Sequence, residues 1–261
     1  MCIRDRVNVI SKTQIKLVKS LGQQKFRQKY GKFTAEGEKS VTEFLKNMYF
    51  PIEVIYFVDE HVKDRLSAFC DLKVLVKVSL KEMEQMSSFR TPSNILAVLS
   101  KKENTVSLVS FPEEKTIYLD DIQDPGNMGT IIRIADWFGI KNIVRSPNSA
   151  DFFNPKVVQS TMGSLCNVRL MTSTLSDLVE LAPGMVVLGA LMDGTKLHLT
   201  KNLPEKGLLV IGNEGHGIHA NNLPFITHKI AIAGDHHKVA ESLNAAMACS
   251  IICHHWSFHQ K

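Results

Sequence analysis

The run LLVIGNEGHG at residues 208–217 constrains the fold more than any other stretch of this chain. Leu208, Leu209, Val210 and Ile211 form a short apolar block bounded by glycine, which reads as a parallel strand buried on both faces. Parallel neighbours are joined by long crossovers, so one such strand commits a whole domain to an α/β layer architecture. Past its carboxyl end lies a loop with glycines at 212, 215 and 217, in the position where ligands of open α/β sheets sit. Glycine permits positive φ and close approach to bare backbone amides. The loop also holds Asn213 and Glu214, and a plain turn requires neither. An ordinary strand-to-helix turn with a solvated Glu is the competing reading of this loop taken alone.

The flanking sequence carries the alternation outward. Residues 116–119, 142–145, 168–171, 185–188 and 229–232 read as strands. Residues 128–138, 155–163 and 174–181 read as helices, with a last long helix from Ala240. Together they predict a mostly parallel sheet covered on both faces. Ahead of it, Ile15, Val18, Gly22 and Phe26 recur at helical spacing, and residues 38–47 form a helix with Val41, Phe44 and Leu45 inward. Strands at 52–58, 73–78 and 95–99 and a helix at 80–86 complete a small α/β domain ending near Ser100. Residues 101–115 are polar, contain Pro112 and read as a linker. A chain of 261 residues accommodates two domains, set here at 1–105 and 106–261. The first six residues show no cap and no periodicity and carry no fold information.

Charge is unevenly placed. Residues 1–50 hold eleven Lys or Arg against four Asp or Glu, a net +7, and the remainder carries −2. A basic segment of this kind fits a polyanionic partner such as nucleic acid, or a solubilising surface. Within it, residues 25–33 (KFRQKYGKF) interleave cations with rings that suit phosphates and bases, although Phe26 and Phe33 fit better as core anchors. No apolar run approaches the roughly 18 residues a membrane span needs, and no secretory leader is visible. Five scattered cysteines fit reduced thiols in a cytoplasm and not a disulfide framework.

Three loops carry the chemistry. In the first, DDIQDPGNMGTIIR at 120–133, Pro125-Gly126 turns the chain and Asn127 is a suitable N-cap for the following helix. Ile131, Ile134, Ala135 and Phe138 make the buried stripe of that helix and Gly139 ends it. Arg133 falls on another face, one turn from Gly129 and Thr130, where its guanidinium can reach back toward free amides that favour an anion. A surface Arg on an amphipathic helix is the alternative. The second loop, 212–217, has glycines in the order G-x-x-G-x-G, which is not the dinucleotide fingerprint, and no acidic residue follows at the expected distance, which argues against nicotinamide cofactors. The third follows residues 229–232, where Glu241-Ser242-Leu243-Asn244 opens a helix rich in small residues.

The ordered set N-x-G-x-x-x-R, G-N-E-G and S-L-N, each at a strand end, resembles the three signature motifs of the SpoU (TrmH) family of SPOUT RNA methyltransferases. The resemblance covers nearly the whole chain, with residues 11–100 similar to the substrate-binding domain that many members carry in front. It implies a C-terminal SPOUT α/β domain with a deep trefoil knot, a rare departure from the rule against threaded chains, behind a small α/β RNA-binding domain. It further implies S-adenosylmethionine bound in the knot, a ribose 2′-O-methyl product in rRNA or tRNA, and a homodimer with the site built across its interface. Carried over by motif, Asn127 and Arg133 act on the RNA ribose and phosphate, and Glu214, Ser242 and Asn244 complete the active site. Gly212, Ile230 and Leu243 line the cofactor pocket, largely through backbone groups. The sequence departs from the family where Ala231 replaces a frequent proline, where residues 235–239 lengthen a loop, and where Ala246 replaces a frequent serine.

Methyl transfer from a sulfonium to a hydroxyl needs positioning, water exclusion and loss of a proton, and no metal. Guanidinium has a pKa above about 12, so Arg133 reads as an orienting and charge-stabilising group, the proton leaving through phosphate or water. Cys249 and Cys253, followed by His254 and His255, lie one turn apart in an apolar helix and read as buried thiols rather than as a zinc site. His236 and His237 sit in a polar loop, solvated or touching RNA. The rival readings are the same chemistry on tRNA, and an RNA-binding or ribosome-assembly factor that keeps the fold without turnover.

Overall fold

A computed structural model describes residues 10–102, 113–200, 203–235 and 239–258. The first six residues, most of the 101–115 linker, and His236 and His237 in the lengthened loop lie outside the described residues. Contacts divide the chain into two compact units: Met1–Lys102 with Phe153–Cys166, and Glu103–Phe152 with Asn167–Lys261.

The first unit opens on α1 (Lys12–Ser20), whose start is fixed by a capping box between Ser11 and Gln14. The expected single helix through Phe26 is in fact two, α1 and α2 (Gln24–Tyr30). The break is at Leu21–Gln23, where the Arg27 guanidinium turns back and donates to the carbonyls of Leu21 and Gly22, each at 2.9 Å. Arg27 is only 2% exposed, so it is the cation and not Phe26 that this helix buries. There follow β1 (Lys32–Glu36), α3 (Glu38–Asn47), β2 (Ile52–Phe57), α4 (Glu60–Leu66), β3 (Leu75–Lys77), α5 (Leu80–Met86) and β4 (Ile95–Ser100).

The sheet order is β1-β4-β2-β3, with only β2–β3 parallel. Phe33 is fully buried on β1, against Phe50 at 5.3 Å and Phe44 at 5.9 Å between ring centroids. Strand β3 is shorter than the 73–78 expected, because Asp71 caps a 3-10 turn over Leu72–Val74.

The second sheet is built from β5 (Lys115–Leu119), α6 (Pro125–Trp137), β6 (Asn142–Arg145), α7 (Pro155–Thr161), β7 (Arg169–Thr172), α8 (Leu175–Leu181), β8 (Val187–Lys196), β9 (Gly207–Ile211), β10 (His228–Ala231) and α9 (Ala245–Phe258). Of these, α7 belongs to the first unit, where it packs on β1 and Phe153 meets Phe33 at 4.8 Å. The strand order is β10-β8-β9-β5-β6-β7 and every pairing is parallel. The apolar run at 208–211 is β9, central between β8 and β5, with Leu208, Leu209 and Val210 wholly buried. Tyr118, Val144, Val187 and Val210 form one face of this core together with Leu175 and Leu178 of α8. No helix among the described residues is long and apolar enough to cross a membrane.

Two helix starts differ from expectation. Helix α6 begins at Pro125 and its N-cap is Asp124, whose carboxylate accepts from the Asn127 amide at 2.8 Å. Asn127 therefore sits inside the first turn, with its side chain released from capping. Helix α9 begins at Ala245 and not at Ala240, because the Asn244 carboxamide caps it, accepting from Ala246 N at 3.0 Å and Met247 N at 3.2 Å. The buried face of α6 is also wider than one stripe: Met128, Ile131, Ile132 and Ala135 are wholly buried, while Ile134 and Phe138 are half-buried.

Candidate active site

Three strand ends of the second unit supply the chemistry-bearing loops. After β5 the chain turns through Asp121, a non-glycine residue at φ +58°. That uncommon conformation is held by neighbours and not by the residue itself. The Asp121 amide donates to Ser146 Oγ at 3.0 Å, and the Ile122 amide to Ser149 Oγ at 3.0 Å. The two hydroxyls lie 2.9 Å apart, both buried. Asn213 Nδ2 donates to the Asp121 carbonyl at 2.8 Å, and the buried Asp120 carboxylate accepts from His219 N at 2.8 Å. The loops after β5, β6 and β9 are thus stitched into one rigid platform.

The loop after β9 closes on itself. Asn213 and Gly217 exchange both backbone hydrogen bonds, at 3.0 and 2.9 Å, and Asn213 Oδ1 accepts from Gly215 N at 2.7 Å. A Cβ at Gly212 would lie 2.3 Å from the carbonyl carbon of Gly217, so this closure needs glycine there. Its result is that Glu214 projects from the tip of a fixed turn.

The three motifs meet in a line of hydrogen bonds. Asn244 Nδ2 donates to Asn127 Oδ1 at 2.9 Å, and Asn127 Nδ2 donates to the Glu214 carboxylate. The direction is dictated at one end by the α9 amides, which occupy Asn244 Oδ1 and leave its Nδ2 to point outward. At the other end a carboxylate only accepts. All three side chains are solvent-accessible, so the line is open to a substrate; His216, next along the loop, pairs with Asp121 at 3.0 Å.

Beside the line lies a cavity of about 360 Å³, walled by the middle of β8, the ends of β9 and β10 with the loops that follow them, and one face of α9. Of the expected residues, Gly212, Glu214, Ile230, Ser242 and Leu243 line it. Arg133 does not line it: it is exposed on α6 and its side chain makes no hydrogen bond or ion pair with a described residue. Sequence reasoning missed Ala190, Leu191 and Met192, and Ala233 and Gly234, which wall the cavity with small or apolar groups that carry no chemical signature. It also missed Asp120, Asp121, Ser146 and Ser149. Those positions hold loops together across separate strands, which spacing along the chain does not reveal.

Beneath the platform, burial with Asp120 beside it pushes the Tyr118 phenol far above its usual range, so it stays neutral. Among the described residues no group of three or more His, Cys, Asp or Glu is placed to hold a metal. Cys249 and Cys253 are wholly buried, their sulfurs 3.8 Å apart.

Comparison with known proteins shows the family and the fold. The family model described as SpoU rRNA Methylase family matches residues 114–254, and the MRM3-like substrate binding domain matches residues 12–97. The chain is 30% identical over 249 residues, 93% of its length and 95% of the relative's, to the 23S rRNA (guanosine(2553)-2′-O)-methyltransferase RlmP of Bacillus subtilis. It superposes with a TM-score of 0.83 at 34% identity on a putative RNA methyltransferase of the TrmH family from Porphyromonas gingivalis, covering 95% of this chain and 98% of that one. An AdoMet-bound rRNA methyltransferase from Sinorhizobium meliloti superposes with a TM-score of 0.81 at 26% identity, over 96% and 97% of the two chains.

Proposed function

This chain belongs to the SpoU rRNA methylase family, and on that premise we propose that it methylates a ribose 2′-hydroxyl of structured RNA, with ribosomal RNA as the substrate class and S-adenosylmethionine as methyl donor. The observation that carries the reading is the line Asn244–Asn127–Glu214 running to the rim of the cavity, because Glu214 belongs to both.

The cavity fits the donor in size and chemistry. Its wall is largely apolar, suited to an adenine ring and a sulfonium that must shed water. Glu241 and Ser242 offer polar anchors at one end. When bound, S-adenosylmethionine supplies an electrophilic methyl group on a cationic sulfur. Gly212, Ile230 and Leu243 hold it there. Asn127 and Asn244 position the ribose through amides whose orientation is already fixed, so little ordering remains to be done on binding. Glu214 anchors that line at the cavity rim. Arg133 orients the RNA phosphate and stabilises charge near the hydroxyl, and solvent or phosphate takes the proton.

The reading extends to assembly. Helices α6 and α9 pack on each other and expose Trp137 at 84%, Met247 at 65% and Phe258 at 65%. Apolar surface of this kind is usually covered, and a two-fold pair of chains covers it with itself. In such a homodimer Arg133, one turn from Trp137, serves the site across the interface. The deep trefoil knot of the family is part of the same proposal. Cys70, Cys166, Cys249 and Cys253 are free thiols, which fits a reducing compartment, the cytoplasm. The domain at 12–97 binds the RNA, within the 1–105 and 106–261 division into substrate-binding and catalytic parts.

Titration calorimetry of the intact protein with S-adenosylmethionine tests the reading. The expected result is one site per chain, weakened at least about tenfold by Leu243→Arg, a charge placed in the apolar wall. No binding by the intact chain at millimolar donor would overturn it.

A further inference from the structure

Residues 12–35 carry six lysines and Arg27 and no acidic residue at all. Helix α2 gathers part of this charge around two rings. Phe26 and Tyr30, one turn apart, lie nearly parallel, with an interplanar angle of 11° and centroids 6.2 Å apart. The Lys25 ammonium sits 4.9 Å from the Phe26 centroid and the Lys29 ammonium 5.3 Å from that of Tyr30. Neither lysine has a carboxylate partner among the described residues, so both lean on ring faces for want of an anion. Phe26 is half-buried and backs the pair, while Tyr30 is 38% exposed. The buried Arg27 pins the helix to the end of α1 through two carbonyls, which makes the rings a rigid surface.

We propose that the Phe26–Tyr30 face of α2 binds an unpaired nucleotide of the RNA substrate, a base stacking on Tyr30 while Lys25 and Lys29 take the flanking phosphates. The inference rests on the RNA-binding role of the front domain and names the surface and the structural state of the RNA it takes. Two nearly parallel rings with a cation beside each match a planar base between phosphates. Bases inside a paired A-form helix do not present their faces, so the occupant is a loop, bulge or end. An acidic peptide would satisfy the lysines and leave the rings unused.

The test uses the full chain with two RNAs of one sequence, a hairpin carrying 2-aminopurine in an unpaired loop and the same strand closed into a duplex. Tighter binding of the hairpin is expected, with a fluorescence change from the stacked base. Tyr30→Leu is expected to weaken hairpin binding about 5- to 100-fold and to abolish that change, while leaving duplex binding and the affinity for S-adenosylmethionine as they were. The pair Lys25→Gln and Lys29→Gln is expected to reduce the slope of log K on log salt by about 1.4, two single-strand phosphates. Thermal melting checks that each variant folds. Hairpin affinity and fluorescence of Tyr30→Leu equal to the parent's would overturn the stacking face alone, as would displacement of the hairpin by poly-glutamate but not by unpaired RNA. Failure of the parent to bind either RNA while still binding S-adenosylmethionine would overturn the front domain's role as well.

Discussion

Asn127 has two duties at the scale of single residues: its backbone amide enters the α6 cap and its side chain bridges Asn244 to Glu214. Replacing it with Ala leaves both partners accessible to water, so the expected cost to stability is small, within about 0.5 kcal/mol for an exposed position. Turnover is expected to fall on the order of a hundredfold, since the substrate loses a pre-oriented amide. Kinetics beside a thermal melt separate the two, and a variant with normal turnover would remove Asn127 from the site. Arg133 is the sharper case, because nothing described holds it in place. Lysine keeps its charge and loses the planar fork, so Arg133→Lys is expected to lose most of its turnover with RNA affinity nearly intact. Near-normal turnover would show that bidentate positioning is not its role. The sequence marked both residues as motif members, but it put Asn127 at the cap. Asp124, three residues earlier, is an equally good cap chemically, and only the Pro125-led helix start decides between them.

At the scale of elements, helix starts and ends decide where the site falls. Asp124→Ala removes the α6 cap and is expected to cost about 1 kcal/mol, read as a lower melting midpoint; an unchanged midpoint would mean that the cap is replaced. At the far end of α9, Lys115 donates to the Trp256 carbonyl at 2.8 Å, and burial holds its ammonium below the ordinary 10.5. Folding then disfavours the charged form. Between the lowered value and 10.5 the unfolded chain binds more protons, so this residue makes stability rise with pH across that window. Lys115→Met is expected to flatten that rise, measured by melting temperature against pH. The hydrogen bond with Cys253, together with burial, raises the Cys249 thiol well above its usual value, and neither sulfur reaches solvent. Alkylation mapped by mass spectrometry should find both cysteines only after unfolding. Strands and helices with strong periodicity, β9 and α3 above all, were legible in the sequence. Strand β1 was not, since its alternation is hidden in the cation-and-ring run that ends at Phe33, and Arg27 in the core runs against every expectation for a lysine-rich helix.

For the whole molecule, the order of strands β10-β8-β9-β5-β6-β7 brings together loops that lie more than 80 residues apart in sequence, such as those of Asn127 and Glu214. The three motifs were readable because each retains its own residues at a strand end. The apolar walls of the cavity were not, because alanines and leucines there resemble any other core position. Membership of α7 in the first unit was equally hidden, since its sequence is that of a helix in an α/β alternation and only its packing on β1, with Phe153 against Phe33, reveals it. If the exposed α6–α9 face pairs two chains, sedimentation should give a dimer, and Trp137→Glu should give a monomer of much lower turnover with S-adenosylmethionine still bound. The central claim is that these loops direct a methyl group to a sugar oxygen. Purified protein incubated with methyl-labelled S-adenosylmethionine and ribosomal RNA, followed by digestion to nucleosides, tests it most directly. The label is expected in one 2′-O-methylated nucleoside, its initial rate of incorporation falling on the order of a hundredfold with Asn127→Ala; label on a base, or label unaffected by that substitution, would contradict it.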